Sequence, residues 1–265
     1  MDTSARLTML TRLGFAARGL LYLVIGFLIL KSGRTEDPSG ALDYLADGGG
    51  RLLLILMAAG FIAYGIWRLS DAVFNIEGHE AGNKGTRQRL GAAGSGIVHL
   101  ILAWQAVRLI RGGATASGGG SQESAQTALA LPGGQLVLTL AALVLIGVAI
   151  FQIVKAVKGD YLRHLEPQVA GRPWAKWTGR LGYGARGLVI LISGYFLLRA
   201  GLDKQANEAG GIDEALAWLT PPWDSLIAIG LIGFGIYCLI EARFRIIHDV
   251  PVNAIADRAV NPDLR

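Results

Sequence analysis

The sequence predicts an all-α, polytopic membrane protein: six transmembrane helices, built as three parallel two-helix repeats in a pseudo-threefold bundle. Three observations carry this. First, 52% of the 265 residues are hydrophobic and only 17% are charged, with 37 glycines on top. A soluble domain carries about 25% charged residues and roughly 7% glycine. Second, six apolar stretches are each about 20 residues or more, enough to cross ~30 Å of hydrocarbon at 1.5 Å per residue. Third, one helix pair recurs three times along the chain. The same composition excludes a disordered chain, which would be poor in apolar residues. It excludes collagen, since the glycines keep no triplet period. A disulfide scaffold is impossible with Cys238 as the lone cysteine.

The spans fall near 12–32, 51–74, 90–111, 134–157, 180–201 and 224–246. In the first, Arg6, Arg12 and Arg18 precede the run Leu20 to Leu30 in the manner of a signal peptide. No small-x-small cleavage site follows, and the segment recurs as the fifth span, so it is expected to be retained. Leu52 to Trp67 in the second span and Leu136 to Phe151 in the fourth are apolar all round. Between the spans of each pair stands a short Ala/Leu segment, at 40–45, 125–130 and 212–219. Their apolar spacing predicts one- or two-turn helices on the outer membrane surface. Ser117 to Ser121 reads as a flexible linker. Trp67, Trp104, Trp174, Trp177, Trp218 and Trp223 fall near span ends or in adjoining loops, as an interfacial aromatic belt would place them.

Orientation follows from the basic residues. With the N-terminus inside, 18 of the 25 Lys and Arg residues lie on the cytoplasmic side, so both termini are expected there. The net charge of +5 is spread over four segments without an aromatic-interleaved patch, which argues against nucleic acid as a partner.

The repeat is legible residue by residue. Arg12-Leu13-Gly14-Phe15-Ala16-Ala17-Arg18-Gly19 returns as Arg180-Leu181-Gly182-Tyr183-Gly184-Ala185-Arg186-Gly187, and as Arg89-Leu90-Gly91-Ala92-Ala93-Gly94-Ser95-Gly96. On the second helices, Gly60-Phe61-Ile62-Ala63-Tyr64 aligns with Gly147 to Phe151 and with Gly233 to Tyr237. The repeats cover about 10–76, 87–158 and 178–247 of a single membrane domain, and 248–265 form a cytoplasmic tail. Two spans per unit make the repeats parallel, so inverted-repeat alternating access is not expected.

These motifs resemble domain-of-unknown-function family 1206, bacterial membrane proteins with three tandem two-helix repeats. The resemblance covers about 10–247, and the middle copy departs from it at Ser95. It implies the architecture and an inner-membrane location, and brings no biochemical activity with it.

Among the repeated residues, Gly19 and Gly26, and likewise Gly187 and Gly194, stand seven apart on one helix face, where small side chains let helices approach. Arg18 and Arg186 are charges at membrane depth. Each costs ~2.5–3.5 kcal/mol on the insertion scale unless it snorkels or pairs. Asp71 and Glu241 lie at matching depth on the second helices, and in the middle copy Ser95 replaces the arginine where Lys155 replaces the acid. That covariation predicts ion pairs of Arg18 and Arg186 with Asp71 and Glu241. The competing reading is an anion or lipid-headgroup site at Arg18, Arg186 and His99. His99 is expected to stay neutral and bond to a neighbouring helix, because no second ligand stands three or four residues away.

No catalytic constellation, metal-ligand pair or cofactor loop is present in the sequence, so an enzyme is not expected. Gly91 to Gly96 has the wrong spacing for a dinucleotide loop. The expected role is a bacterial inner-membrane scaffold or interaction protein, with a membrane-protein partner or self-association. The rival is a small channel or a lipid- or solute-binding module with its site on the pseudo-threefold axis.

Overall fold

The computed structural model describes residues 3–32, 38–48, 50–79, 82–113, 120–209, 215 and 217–246. The tail at 248–265 and parts of the 117–121 linker and the 212–219 segment lie outside the described residues. Nine helices can be traced among them: α1 Thr3–Ser32, α2 Pro38–Asp47, α3 Arg51–Phe74, α4 Asn83–Ile110, α5 Gly120–Leu129, α6 Gly134–Lys158, α7 Pro167–Ala170, α8 Pro173–Asp203 and α9 Trp223–Phe244. Six of them (α1, α3, α4, α6, α8 and α9) are long and apolar enough to cross a membrane.

The first helix of each repeat starts seven or more residues ahead of the span expected from hydropathy. α1, α4 and α8 run 30, 28 and 31 residues. At 1.5 Å per residue they reach about 42–46 Å, well beyond the ~30 Å hydrocarbon core. Nothing between 83 and 90 breaks a helix, and Pro173 sits at the head of α8, where its missing N–H is no loss. The basic heads of these helices therefore stand in the interface.

The short helices do more than lie on a surface. Ala41 and Leu42 of α2 are fully buried against Leu28, Leu54 and Leu102, capping the end of the bundle away from the N-terminus. Ala125 of α5 is buried with Leu138 and Ala200.

Around the bundle the packing order is α4, α3, α1, α9, α8, α6. Three tight interfaces join neighbouring repeats: α3 with α4, α1 with α9, and α6 with α8. Two more close the outer repeats, α1 with α3 and α8 with α9. The sixth is absent: α4 and α6, the two helices of the middle repeat, do not pack side by side.

Glycines set the close approaches. A Cβ on Gly19 would lie 2.9 Å from the Gly235 carbonyl oxygen. On Gly26 it would meet Ile232, on Gly187 it would meet Ile153, and on Gly194 it would meet Ile146. The same contacts correct the sequence alignment of the second helices. Gly60 packs on Ala17 and Leu13, and Gly230 packs on the equivalent Ala185 and Leu181. Likewise Gly14 faces Tyr64, and Gly182 faces Phe234. The structural partner of Gly60 is thus Gly230 rather than Gly233. Tyr64 matches Phe234, and Asp71 matches Glu241. The close backbone contact preserves the register; the local Gly-Phe-x-x-Tyr resemblance three residues along does not.

Trp67 also departs from expectation. It is buried against Phe15, with ring centroids 5.7 Å apart, and belongs to the core rather than an interfacial belt. Trp104, Trp174, Trp177, Trp218 and Trp223 are exposed.

Candidate functional site

Arg18 stands ten residues into the apolar span that opens at Thr8, about 15 Å along the helix. It is 8% exposed. Its Nη1 donates to the Tyr64 hydroxyl at 3.1 Å, and its guanidinium lies 4.7 Å from the centre of the Phe234 ring. Arg186 donates from Nε to the Tyr22 hydroxyl at 2.7 Å and lies 5.3 Å from the same Phe234 ring. Two guanidiniums thus share one phenyl ring and sit within about 10 Å of each other.

The expected ion pairs with Asp71 and Glu241 do not form. Asp71 is fully buried, and its Oδ2 accepts from Arg68 at 3.3 Å and from His79 Nε2 at 3.1 Å. Its Oδ1 accepts the backbone N–H of Glu77 at 2.8 Å. Glu241 accepts from Arg245 one helical turn later, at 2.7 Å. Arg245 also grips Glu77 and so ties the third repeat to the loop after the first. Nor do the acids match the arginines in depth: Ala17 packs on Gly60 and Ala185 on Gly230, so Asp71 and Glu241 lie about two to three helical turns farther along, where Arg68 and Arg245 take them.

Charge within that terminal network is close to balanced, with Arg68 and Arg245 set against Asp71, Glu77 and Glu241. Burial raises the Glu77 carboxyl, but Arg245 and Arg68 outweigh it and hold the pKa at about 2. Burial, then the neighbouring Arg245 charge, pulls His164 down to about 3, so it is neutral at physiological pH. Asp71, Glu77 and His79 bring one ligand atom each within 4.8 Å of one another. Arg68 and Arg245 already occupy the same carboxylates, so this triad is a guanidinium-bridged hub rather than an open cation site.

Among the described residues, Arg18 and Arg186 have no carboxylate partner. Cation–π contact returns ~0.5–2 kcal/mol per contact, against ~2.5–3.5 kcal/mol for each charge at depth. Mutual repulsion at ~10 Å adds about 1–2 kcal/mol at an effective dielectric near 20. The centre of the bundle has an unmet demand for negative charge.

His99 joins this centre from α4. Its ring lies 4.3 Å from that of Tyr64, the phenol that also receives Arg18. Its Nδ1 donates to the Ser95 carbonyl of its own helix at 2.7 Å, not to a neighbouring helix as expected. Lys155 of α6 donates to the Tyr183 hydroxyl at 3.2 Å and lies 4.6 Å from that ring's centre. Tyr183 in turn meets Phe234 edge-on at 5.1 Å. Sequence reading missed the roles of Arg68, Glu77, His79 and Arg245. Two signals were available, the three-residue spacing of Arg68 and Asp71 and the four-residue spacing of Glu241 and Arg245, each of which favours an ion pair along a helix.

These features define a class: a six-span integral membrane protein of three two-helix repeats around a cationic, aromatic-lined centre. The chain belongs to the family Domain of Unknown Function (DUF1206), whose model matches residues 13–75, 90–159 and 181–245. It is 31% identical over 249 residues to the uncharacterized protein YxxB of Bacillus subtilis (strain 168), covering 88% of this chain and 90% of that protein. No solved structure matches the chain.

Proposed function

We propose that this protein is an anion-binding module of the bacterial inner membrane, with both termini in the cytoplasm and its site between Arg18 and Arg186. In this reading it binds an anion rather than transforming it. The observation that carries the reading is the pair of guanidiniums on the Phe234 ring, which have no carboxylate partner among the described residues. A ligand with a phosphate or carboxylate group offers what the fold withholds, and planar guanidiniums suit such groups in bidentate fashion. The weight of basic residues on one side supports the orientation.

A scaffold for a membrane-protein partner is the second reading. It draws on the exposed apolar flank of α6, a flank that lipid covers equally well. Titration of the purified full chain with inorganic phosphate, read by thermal unfolding, separates the two. An anion site raises the midpoint as phosphate saturates it, because binding adds about 2.7 kcal/mol of stability at a hundred times Kd. The double variant Arg18→Met, Arg186→Met loses that rise and folds at least as well without ligand, since uncompensated buried charge is removed. A wild-type midpoint indifferent to phosphate, or a double variant that fails to fold, overturns the anion reading.

A further inference from the structure

The three repeats share a skeleton, yet the middle one lacks the contact that closes the other two. Gly14 and Gly182 lie under Tyr64 and Phe234, each 2.5 Å from a Cβ placed on the glycine. The equivalent Gly91 has nothing within 4 Å, nor does Gly94, the counterpart of Ala17 and Ala185. Leu21 and Val189 are 2% and 3% exposed, whereas the equivalent Val98 is 53% exposed. On the facing helix, Tyr64 and Phe234 are 3% and 0% exposed and the equivalent Val148 is 42%. The gap lies in the half of the bundle that holds the first turns of α4 and the last turns of α6. Toward the other end, α2 packs on α4, and α5 packs on α6.

Each edge of this gap leads through aromatic rings to the buried cations, one ring from α4 and two from α6. From α4, His99 touches Tyr64, which holds Arg18. From α6, Lys155 touches Tyr183, which meets Phe234 under both guanidiniums. At the depth where the acidic partner stands in the outer repeats, the middle repeat offers Lys155, a third cation. The walls of the gap (Val98, Val144, Val148 and Phe151) are apolar and exposed, and all four stand within membrane-length apolar helices.

We propose that the space between α4 and α6 is a lateral entry for one anionic phospholipid, whose headgroup reaches toward Arg18, Arg186 and Lys155 while its acyl chains lie against the valines. This rests on the anion reading above and names its ligand class. Charge complementarity selects the occupant: two guanidiniums with no carboxylate partner among the described residues, and a lysine that donates to a phenol, stand behind an apolar slot and fit a molecule that is anionic at one end and aliphatic at the other. A second copy of the chain would bring its own apolar flank and no negative charge. A free anion gains nothing from the apolar walls.

The test uses the full chain in bilayers of equimolar phosphatidylcholine and phosphatidylglycerol, with native mass spectrometry reading the retained lipid. The wild type is expected to retain one phosphatidylglycerol per chain, preferred over phosphatidylcholine by about tenfold or more. Lys155→Met reduces the preference about fivefold, the share of one cation near a lipid surface. Arg18→Met with Arg186→Met reduces it to near unity. Gly94→Trp and Val148→Trp, which fill the slot and touch no cation, lose lipid retention but keep the phosphate-induced rise in melting temperature. That rise shows that these variants fold. Equal retention of the two lipids, or slot variants that retain lipid like the wild type, overturns the proposal. If phosphate still stabilises the wild type in that case, the anion reading stands and only the lipid falls; if it does not, both fall. Cross-linking of Val98→Cys on one chain to Val148→Cys on another marks the face as a self-interface and also overturns it.

Discussion

The first and third repeats close on themselves and the middle one does not, although all three carry the same glycine framework. In the outer repeats the helix turn that carries an aromatic residue, Tyr64 or Phe234, sits directly on a glycine of the partner helix, and Gly60 or Gly230 admits an alanine from the other side. In the middle repeat those positions hold Val148 and Val144. A valine at 144 bars the close approach, and Val148 is too small to fill the space left. Lipid tails supply no hydrophobic drive between helices, so a pair without close packing gains little by associating. A few side-chain changes thus turn a closed helix pair into an open one without altering the repeat.

If that comparison is right, truncating the aromatic seat should matter only where the pair is closed. Phe234→Ala removes the ring shared by Arg18, Arg186, Tyr22 and Tyr183, and should cost about 3–5 kcal/mol. Val148→Ala, on the open pair, should change stability by less than ~0.5 kcal/mol. Denaturant unfolding in micelles measures both; similar losses would break the distinction.

Charge sharpens it further. Arg245 bridges Glu77 and Glu241, so Arg245→Met strands two buried carboxylates and should cost about 3–5 kcal/mol. Lys155, at the position matching Glu241, donates to a phenol and bridges no pair of carboxylates, and Lys155→Met should leave stability unchanged or slightly raised. A large loss at Lys155 would show that the middle repeat carries a structural ion network after all.

Smaller effects are expected at the glycines themselves. Gly182→Ala pushes a methyl into the Phe234 backbone, a strain of about 1–3 kcal/mol. Gly91→Ala meets nothing and should gain roughly 0.5–1 kcal/mol from reduced chain entropy. Opposite signs at two equivalent glycines would be the most direct sign that α4 and α6 stand apart.

Much of this could be read in the chain beforehand, because membrane residence and repetition leave dense local marks. The six spans and the small-residue faces follow from apolar run length and from glycines seven apart. The partners of Arg18 and Arg186 did not follow, because they are settled by contacts between distant residues. Glu77 sits in the loop after α3 and meets Arg245 from the far end of the chain, an arrangement no spacing rule reveals. Trp67 looked interfacial because it falls near a span end, yet that turn of α3 faces Phe15 and the core. The open middle pair was half visible. Ser95 and Lys155 were legible as a joint departure, but as a lost ion pair rather than as a missing helix contact.

Acid should test the terminal network that holds the closed repeats together. His164 follows α6 in a 3₁₀ turn, and Ile246, just beyond α9, donates its backbone N–H to the His164 carbonyl at 2.8 Å. Arg245, Lys155 and Arg163 bear on the ring with positive charge and Glu77 with negative, and burial adds to the cations. The folded chain refuses the proton until about pH 3, while the unfolded chain accepts it near 6.5. The unfolded state therefore binds more protons between those values, and stability falls as pH drops from 6.5. Glu77 adds a second loss at lower pH, between its ordinary 4.5 and its folded value of about 2, as its carboxylate gives up Arg245 and Arg68. His164→Gln, which cannot take up the proton, should flatten the slope between pH 6.5 and 4.5 and leave the steeper acid limb intact. Melting temperature across that range reads the difference, and an unchanged slope would place the sensitivity elsewhere in the network.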